Sequence, residues 1–111
     1  MEVNAMWNQP TQNQLAQLPK LGETESVPLK DKVLHMHFFL GGCDWWIAEY
    51  DGEDLLWGFA MLNGDRDNAE WGYISFKELK ELVAPPGLEV ERDLHWRPRK
   101  ASEIKEVKTY D

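Results

Sequence analysis

Three apolar runs lie close together in the chain, at residues 33–40, 45–50 and 55–62, and the breaks between them are four residues long. A parallel crossover needs a dozen residues or more, so three strands joined this tightly must be antiparallel neighbours. The breaks have the chemistry of turns. Gly41-Gly42 closes the first run, and Asp51-Gly52 opens the second break with a pair that favours hairpins. Strand side chains alternate between faces, so Trp57, Phe59 and Met61 share one face of the third run. Leu56, Ala60 and Leu62 line the other, and Gly58 leaves a gap. His35 and His37 fall together on one face of the first run.

The rest of the chain reads around this meander. Residues 70–74 form a fourth strand that runs directly into a helix over 76–83. Ser75 caps that helix, and Glu78 three residues on completes a capping box. Phe76, Leu79, Leu82 and Val83 fall on one helical face, and Pro85-Pro86-Gly87 ends it. Residues 88–96 alternate as a fifth strand. Near the start, Thr11 is the N-cap of a short helix over 12–18, with Leu15 and Leu18 on one side and Pro19 as its stop. Residues 19–32 read as an extended connection. The expected fold is α+β, a four- or five-stranded, mainly antiparallel sheet with one or two helices packed on one face. A chain of 111 residues is one domain. Its expected limits are 18–98, between a polar N-terminal segment at 1–17 and a polar, loosely ordered tail at 99–111.

Several separate blocks, in order, resemble one bacterial family. They are Leu18-Pro19-Lys20-Leu21, Val27-Pro28-Leu29, Phe38-Phe39, Ala48-Glu49-Tyr50-Asp51-Gly52-Glu53-Asp54, Gly58-Phe59, Glu70-Trp71-Gly72-Tyr73, and Gly87-Leu88 through Trp96. The chain is similar over about residues 18–98 to the family catalogued as domain of unknown function (DUF) 2958. The resemblance implies short bacterial proteins, often encoded on plasmids, conjugative elements or phages. It implies no established catalytic residues, so none is carried over. It also implies a shorter loop in many relatives where this chain has residues 63–69.

Charge narrows the function classes. The net charge is −8, and residues 44–70 hold eight carboxylates against one base, Arg66. Like charge at this density repels polyanions. Gripping a nucleic-acid backbone takes Lys and Arg, so direct nucleic-acid binding is not expected. The run of about 20 apolar residues that spans a bilayer is absent from the sequence, and no membrane role is expected. One cysteine, Cys43, and no secretory signal pattern point to the cytoplasm.

Candidate sites follow from residue type and spacing. Glu91, Asp93 and His95 share a strand face, but positions four apart on a strand are about 13 Å apart, too far to share an ion. Asp93 and His95 would need His35 or His37 as further ligands. Asp65, Asp67 and Glu70 lack the glycine and the final glutamate of a calcium loop. Cys43 sits beside Asp44, which disfavours a thiolate. Neither a metal nor a cofactor is therefore expected. Six Trp are more than a small core needs, and Trp and Tyr are enriched at interfaces. The reading is an acidic interaction module of mobile-element or phage-like type, an inhibitor or modulator of a basic nucleic-acid-binding protein. Its contact residues would be Asp51, Glu53, Asp54, Asp65, Asp67, Trp45 and Trp57. The alternative is an enzyme or ligand-binding domain with a pocket at Trp71, Tyr73, Arg92, Asp93 and His95. The oligomeric state is left open.

Overall fold

A computed structural model of the chain describes residues 9–110. The elements, in chain order, are α1 (Gln12–Ala16), a 3-10 turn (Leu29–Asp31), β1 (Val33–Leu34), β2 (Met36–Leu40), β3 (Cys43–Tyr50), β4 (Leu55–Met61), β5 (Glu70–Ser75), α2 (Phe76–Glu81), β6 (Val83–Ala84), β7 (Leu88–Glu89), β8 (Glu91–Arg92), β9 (Arg99–Lys100) and a second 3-10 turn (Ala101–Glu103). Five of the strands form one antiparallel sheet in the order β5-β4-β3-β2-β8. The fold is α+β, and the β2-β3-β4-β5 meander follows from the short turns. Part of the N-terminal polar segment, residues 1–8, lies outside the described residues.

The β3–β4 ladder slips one register between Ile47 and Glu49. This bulge decides which side chains face where. Ile47 and Tyr50, three positions apart, both enter the core cluster on the α1/α2 side, together with Phe38, Trp45, Leu56, Phe76 and Leu79. Leu15 and Leu18 from the first helical segment join the same cluster. Beside the bulge the two backbones come very close. A Cβ on Gly58 would lie 1.9 Å from the Trp46 carbonyl oxygen, so the glycine is required by contact.

The opposite face is covered by the C-terminal segment. Ala101, Ile104 and Val107 pack against Leu34, Trp46, Phe59 and Met61, with Trp57, Trp71 and Trp96 at the margin. Trp71 Nε1–H donates to the Lys108 carbonyl at 2.7 Å, and Trp96 Nε1–H to the Leu34 carbonyl at 2.9 Å. The expected loose tail is thus a structural layer. Its apolar residues recur every third position, which brings them to one side of a chain of turns.

Other expectations are corrected in detail. Residues 33–40 are two strands, because β1 leaves the main sheet to pair with β9. Residues 19–32 are a series of turns rather than an extended connection. α2 stops at Glu81, because Val83–Ala84 turns back to pair with Leu88–Glu89. Leu82 and Val83 are consequently exposed. Residues 88–96 are two short strands with different partners, β7 on β6 and β8 on β2. An Asx turn follows, in which the Asp93 carboxylate accepts the His95 N–H.

Candidate functional site

The acidic turn between β3 and β4 is built by its own carboxylates. Asp51 Oδ1 accepts the N–H groups of Glu53, Asp54 and Leu55 at 2.7, 2.8 and 3.0 Å. The Glu53 and Asp54 N–H groups hold the Asp51 carboxyl below its usual range. Asp54 then reaches α2. Its Oδ1 accepts the Lys77 N–H at 2.6 Å, and its Oδ2 accepts the Ser75 hydroxyl at 2.8 Å. Ser75 Oγ in turn accepts the Glu78 N–H at 3.1 Å. Ser75 is the expected N-cap, and a carboxylate from a distant turn caps the helix beside it.

The β4–β5 loop repeats this economy. Asp65 accepts the N–H groups of Asp67 and Asn68, and also the Asn68 side-chain amide at 2.7 Å. The Asn68 side chain and backbone hold the Asp65 carboxyl below its usual range. Cys43 lies against this loop, its Sγ accepting the Asn63 N–H at 3.4 Å. The two acidic groups stand at opposite ends of β4, which is roughly 20 Å long. Tail contacts reach the second group. Lys108 Nζ donates to the Asp67 carbonyl and Arg66 to the Lys105 carbonyl.

The expected aromatic contacts divide. Trp45 is buried in the α1/α2 core and is unavailable to a partner. Trp57 is half-buried, stacked on Trp71 at 5.1 Å, with Lys32 Nζ 5.3 Å from its ring centre. Tyr73, its cross-strand neighbour, is 69% exposed. The alternative pocket does not assemble. Trp71 and Tyr73 lie on β5 and Arg92 on β8, at opposite edges of the sheet and roughly 19 Å apart by strand spacing. Arg92 and Asp93 line a separate cleft of about 240 Å³ with Gln14, His35, Met36 and Trp96. Burial keeps His35 there below its ordinary pKa.

Two polar networks, the first buried and the second half-buried, are not evident from the sequence. In the first, Glu49 is 4% exposed and accepts the N–H groups of Gly22 and Thr24 at 2.8 and 3.0 Å, together with the Thr24 hydroxyl. Lys32, 5% exposed, donates to the Thr24 carbonyl and, at 3.1 Å, to its hydroxyl oxygen. Burial pushes the Glu49 carboxyl up, but the Thr24 hydroxyl, the two N–H groups and Lys32 together pull it below the usual range. The available signal was one acid inside the apolar run Trp-Trp-Ile-Ala-Glu-Tyr.

In the second network, His37 lies between Asp44 (Nε2 to Oδ1, 2.8 Å) and Asp93 (Nδ1 to Oδ2, 3.2 Å), stacked on Trp46 at 5.1 Å. The ring is therefore spent on tying the segment after β8 to β2 and β3. Among the described residues no group of three His, Cys, Asp or Glu side chains is arranged to hold a metal ion. No helix among them is long and apolar enough to cross a membrane.

The sequence model of the family described as "Protein of unknown function (DUF2958)" matches residues 10–105, and the chain belongs to that family. No curated protein and no solved structure matches the chain.

Proposed function

We propose that this DUF2958 protein is a small interaction module that engages a basic protein partner through its acidic surface. Modulation or inhibition of a nucleic-acid-binding protein encoded or targeted by a mobile element is the concrete form, and it rests on the charge and on the family resemblance. The supporting observation is that the acidic excess is not neutralised internally. Among the described residues, one Lys–carboxylate ion pair forms, Lys100 with Asp31 at 3.7 Å. Glu53, Asp67 and Glu70 are exposed and enter no ion pair among the described residues. The turn networks of Asp51 and Asp65 hold neighbouring charges in place.

The test uses Glu53→Gln, Asp67→Asn and Glu70→Gln together, because these side chains hold up no turn, whereas Asp51, Asp54 and Asp65 do. Partners captured from the native host are purified, and association is followed at several salt concentrations. A basic partner should associate more slowly as salt rises, and more slowly with the triple variant, since steering acts on encounter. An association rate indifferent to both would refute the proposal. So would tight binding of duplex or single-stranded oligonucleotides by the unmodified protein at physiological salt.

A further inference from the structure

We infer that an extended, basic segment of a protein partner binds by adding a strand to the outer edge of β5. This rests on the acidic-module reading and specifies its site and mode.

β5 is an edge strand, since the order of the sheet places β4 on one side of it alone. The direction of its backbone groups follows from register. Phe76 N–H donates to the Asp54 carbonyl at 3.0 Å, continuing the ladder in which Leu55 opposes Ser75. Antiparallel pairs alternate between those that exchange hydrogen bonds and those that do not. Leu56–Ile74, Gly58–Gly72 and Ala60–Glu70 therefore exchange bonds, while Trp57–Tyr73 and Phe59–Trp71 do not. The other ladder agrees, because Asp51 N–H donates to the Leu55 carbonyl at 2.9 Å, which turns Leu55 toward β3. The N–H and C=O groups of Trp71 and Tyr73 consequently point away from β4. Neither residue has a further backbone partner among the described residues. Free edges of this kind are templates for strand addition.

The two sides of that edge differ. On the α2 side lies a groove of about 450 Å³ whose apolar lining includes Trp45, Ala60, Leu62, Ile74, Leu79 and Leu82. Leu62 and Leu82 are 52% and 40% exposed. An added strand would send alternate side chains into this groove, and apolar ones fit it. On the other side stands exposed Tyr73, a ring face for Lys or Arg. Glu78 is the one charged residue lining the groove, and Glu70 begins the strand. Neither is in an ion pair among the described residues. These carboxylates select a basic occupant. They also oppose a second copy, which would set Glu70 against the same acids.

The edge geometry supplies a specific variant. The Tyr73 N–H is not used in the ladder to β4, so Tyr73→Pro removes an outward donor while sparing the sheet. Tyr73→Ala removes the ring and keeps the N–H. A displayed library of random nine-residue peptides is selected against the full chain, and selected peptides are titrated against each variant. Enriched peptides should carry net positive charge and alternate apolar residues. Tyr73→Pro should weaken them at least tenfold, Tyr73→Ala less so, with the circular dichroism of both variants unchanged. Should Tyr73→Pro alter the spectrum, a library peptide methylated on alternate backbone nitrogens replaces it and must lose binding tenfold. Basic peptides that bind Tyr73→Pro, or methylated peptides that bind, as tightly as their parents would overturn strand addition and leave the acidic-surface reading standing. No enrichment, or enrichment of peptides without positive charge, would also overturn strand addition by a basic segment, while the acidic-surface reading falls only on its own salt-dependence and oligonucleotide tests. Dimerisation of the free protein that Tyr73→Pro abolishes would assign the edge to a second copy and overturn the inference.

Discussion

Replacing Glu49 by Gln keeps the shape of the side chain and removes its charge. The carboxylate accepts three donors, from Gly22 N–H, Thr24 N–H and the Thr24 hydroxyl. A glutamine amide has one acceptor oxygen, and its NH₂ would face a donor. One partly buried N–H is then unsatisfied, at about 1–2 kcal/mol, and the remaining bonds lose charge assistance. Lys32, equally buried, loses its nearby counter-charge. The unsatisfied N–H and the lost charge assistance together make a loss of about 2–3 kcal/mol at pH 7 the expected result. In a domain of this size that lowers Tm by on the order of 10–20 °C. The pH dependence is part of the prediction. The folded pKa of Glu49 lies below its unfolded value. Its contribution is therefore complete above the unfolded pKa and is lost as pH falls through the folded one. Urea titrations followed by circular dichroism should show a gap between wild type and variant that is largest near neutrality and shrinks below roughly pH 4. A gap under about 0.5 kcal/mol at pH 7, or one equal at pH 7 and pH 3, would refute the argument.

Three further outcomes are expected. Gly58→Ala forces a Cβ to within 1.9 Å of the Trp46 carbonyl oxygen and 3.0 Å of the Ile47 Cα, both backbone atoms. A loss of about 3 kcal/mol or failure to fold should follow, read by urea unfolding. The Tyr50 hydroxyl is buried without a hydrogen-bond partner among the described residues. Tyr50→Phe should therefore leave Tm unchanged or raise stability by up to about 1 kcal/mol, and a loss larger than that would mean the hydroxyl is satisfied. A chain stopped after Pro98 uncovers the face closed by Ala101, Ile104 and Val107. At about 1.5–3 kcal/mol per large buried side chain, it should lose cooperative unfolding in calorimetry, and an unchanged transition would contradict the packing.

The sequence carried the meander well, because each hairpin strand pairs with its neighbour and the turn residues sit between them. The caps at Thr11 and Ser75 were readable for the same local reason. Long-range pairing was hidden. β1 leaves the sheet to meet β9, 66 residues on, and nothing around Val33 announces that partner. The bulge at Ala48 has no local signal either, yet it turns Glu49 toward the 22–24 turn and fixes which aromatics share a face. The candidate site suffered most from this. The acids at 51–54 and 65–67 lie at opposite ends of β4, and several hold turns in place. Trp45 and Trp57 were both read as contacts, but alternation alone did not say that both faces of the sheet would be covered.

Coverage of the aromatic face by the C-terminal segment sets an order of events during synthesis. The strands from Met36 to Ser75 leave the ribosome first and can pair with one another at once. Until residues 99–107 follow, Trp46, Phe59 and Trp71 lack the layer that closes over them. The nascent protein thus passes through a stage with a greasy, strand-edged surface open to the cell. Chaperones that recognise such surfaces would meet it then, and a premature stop near residue 98 would make that passing stage permanent.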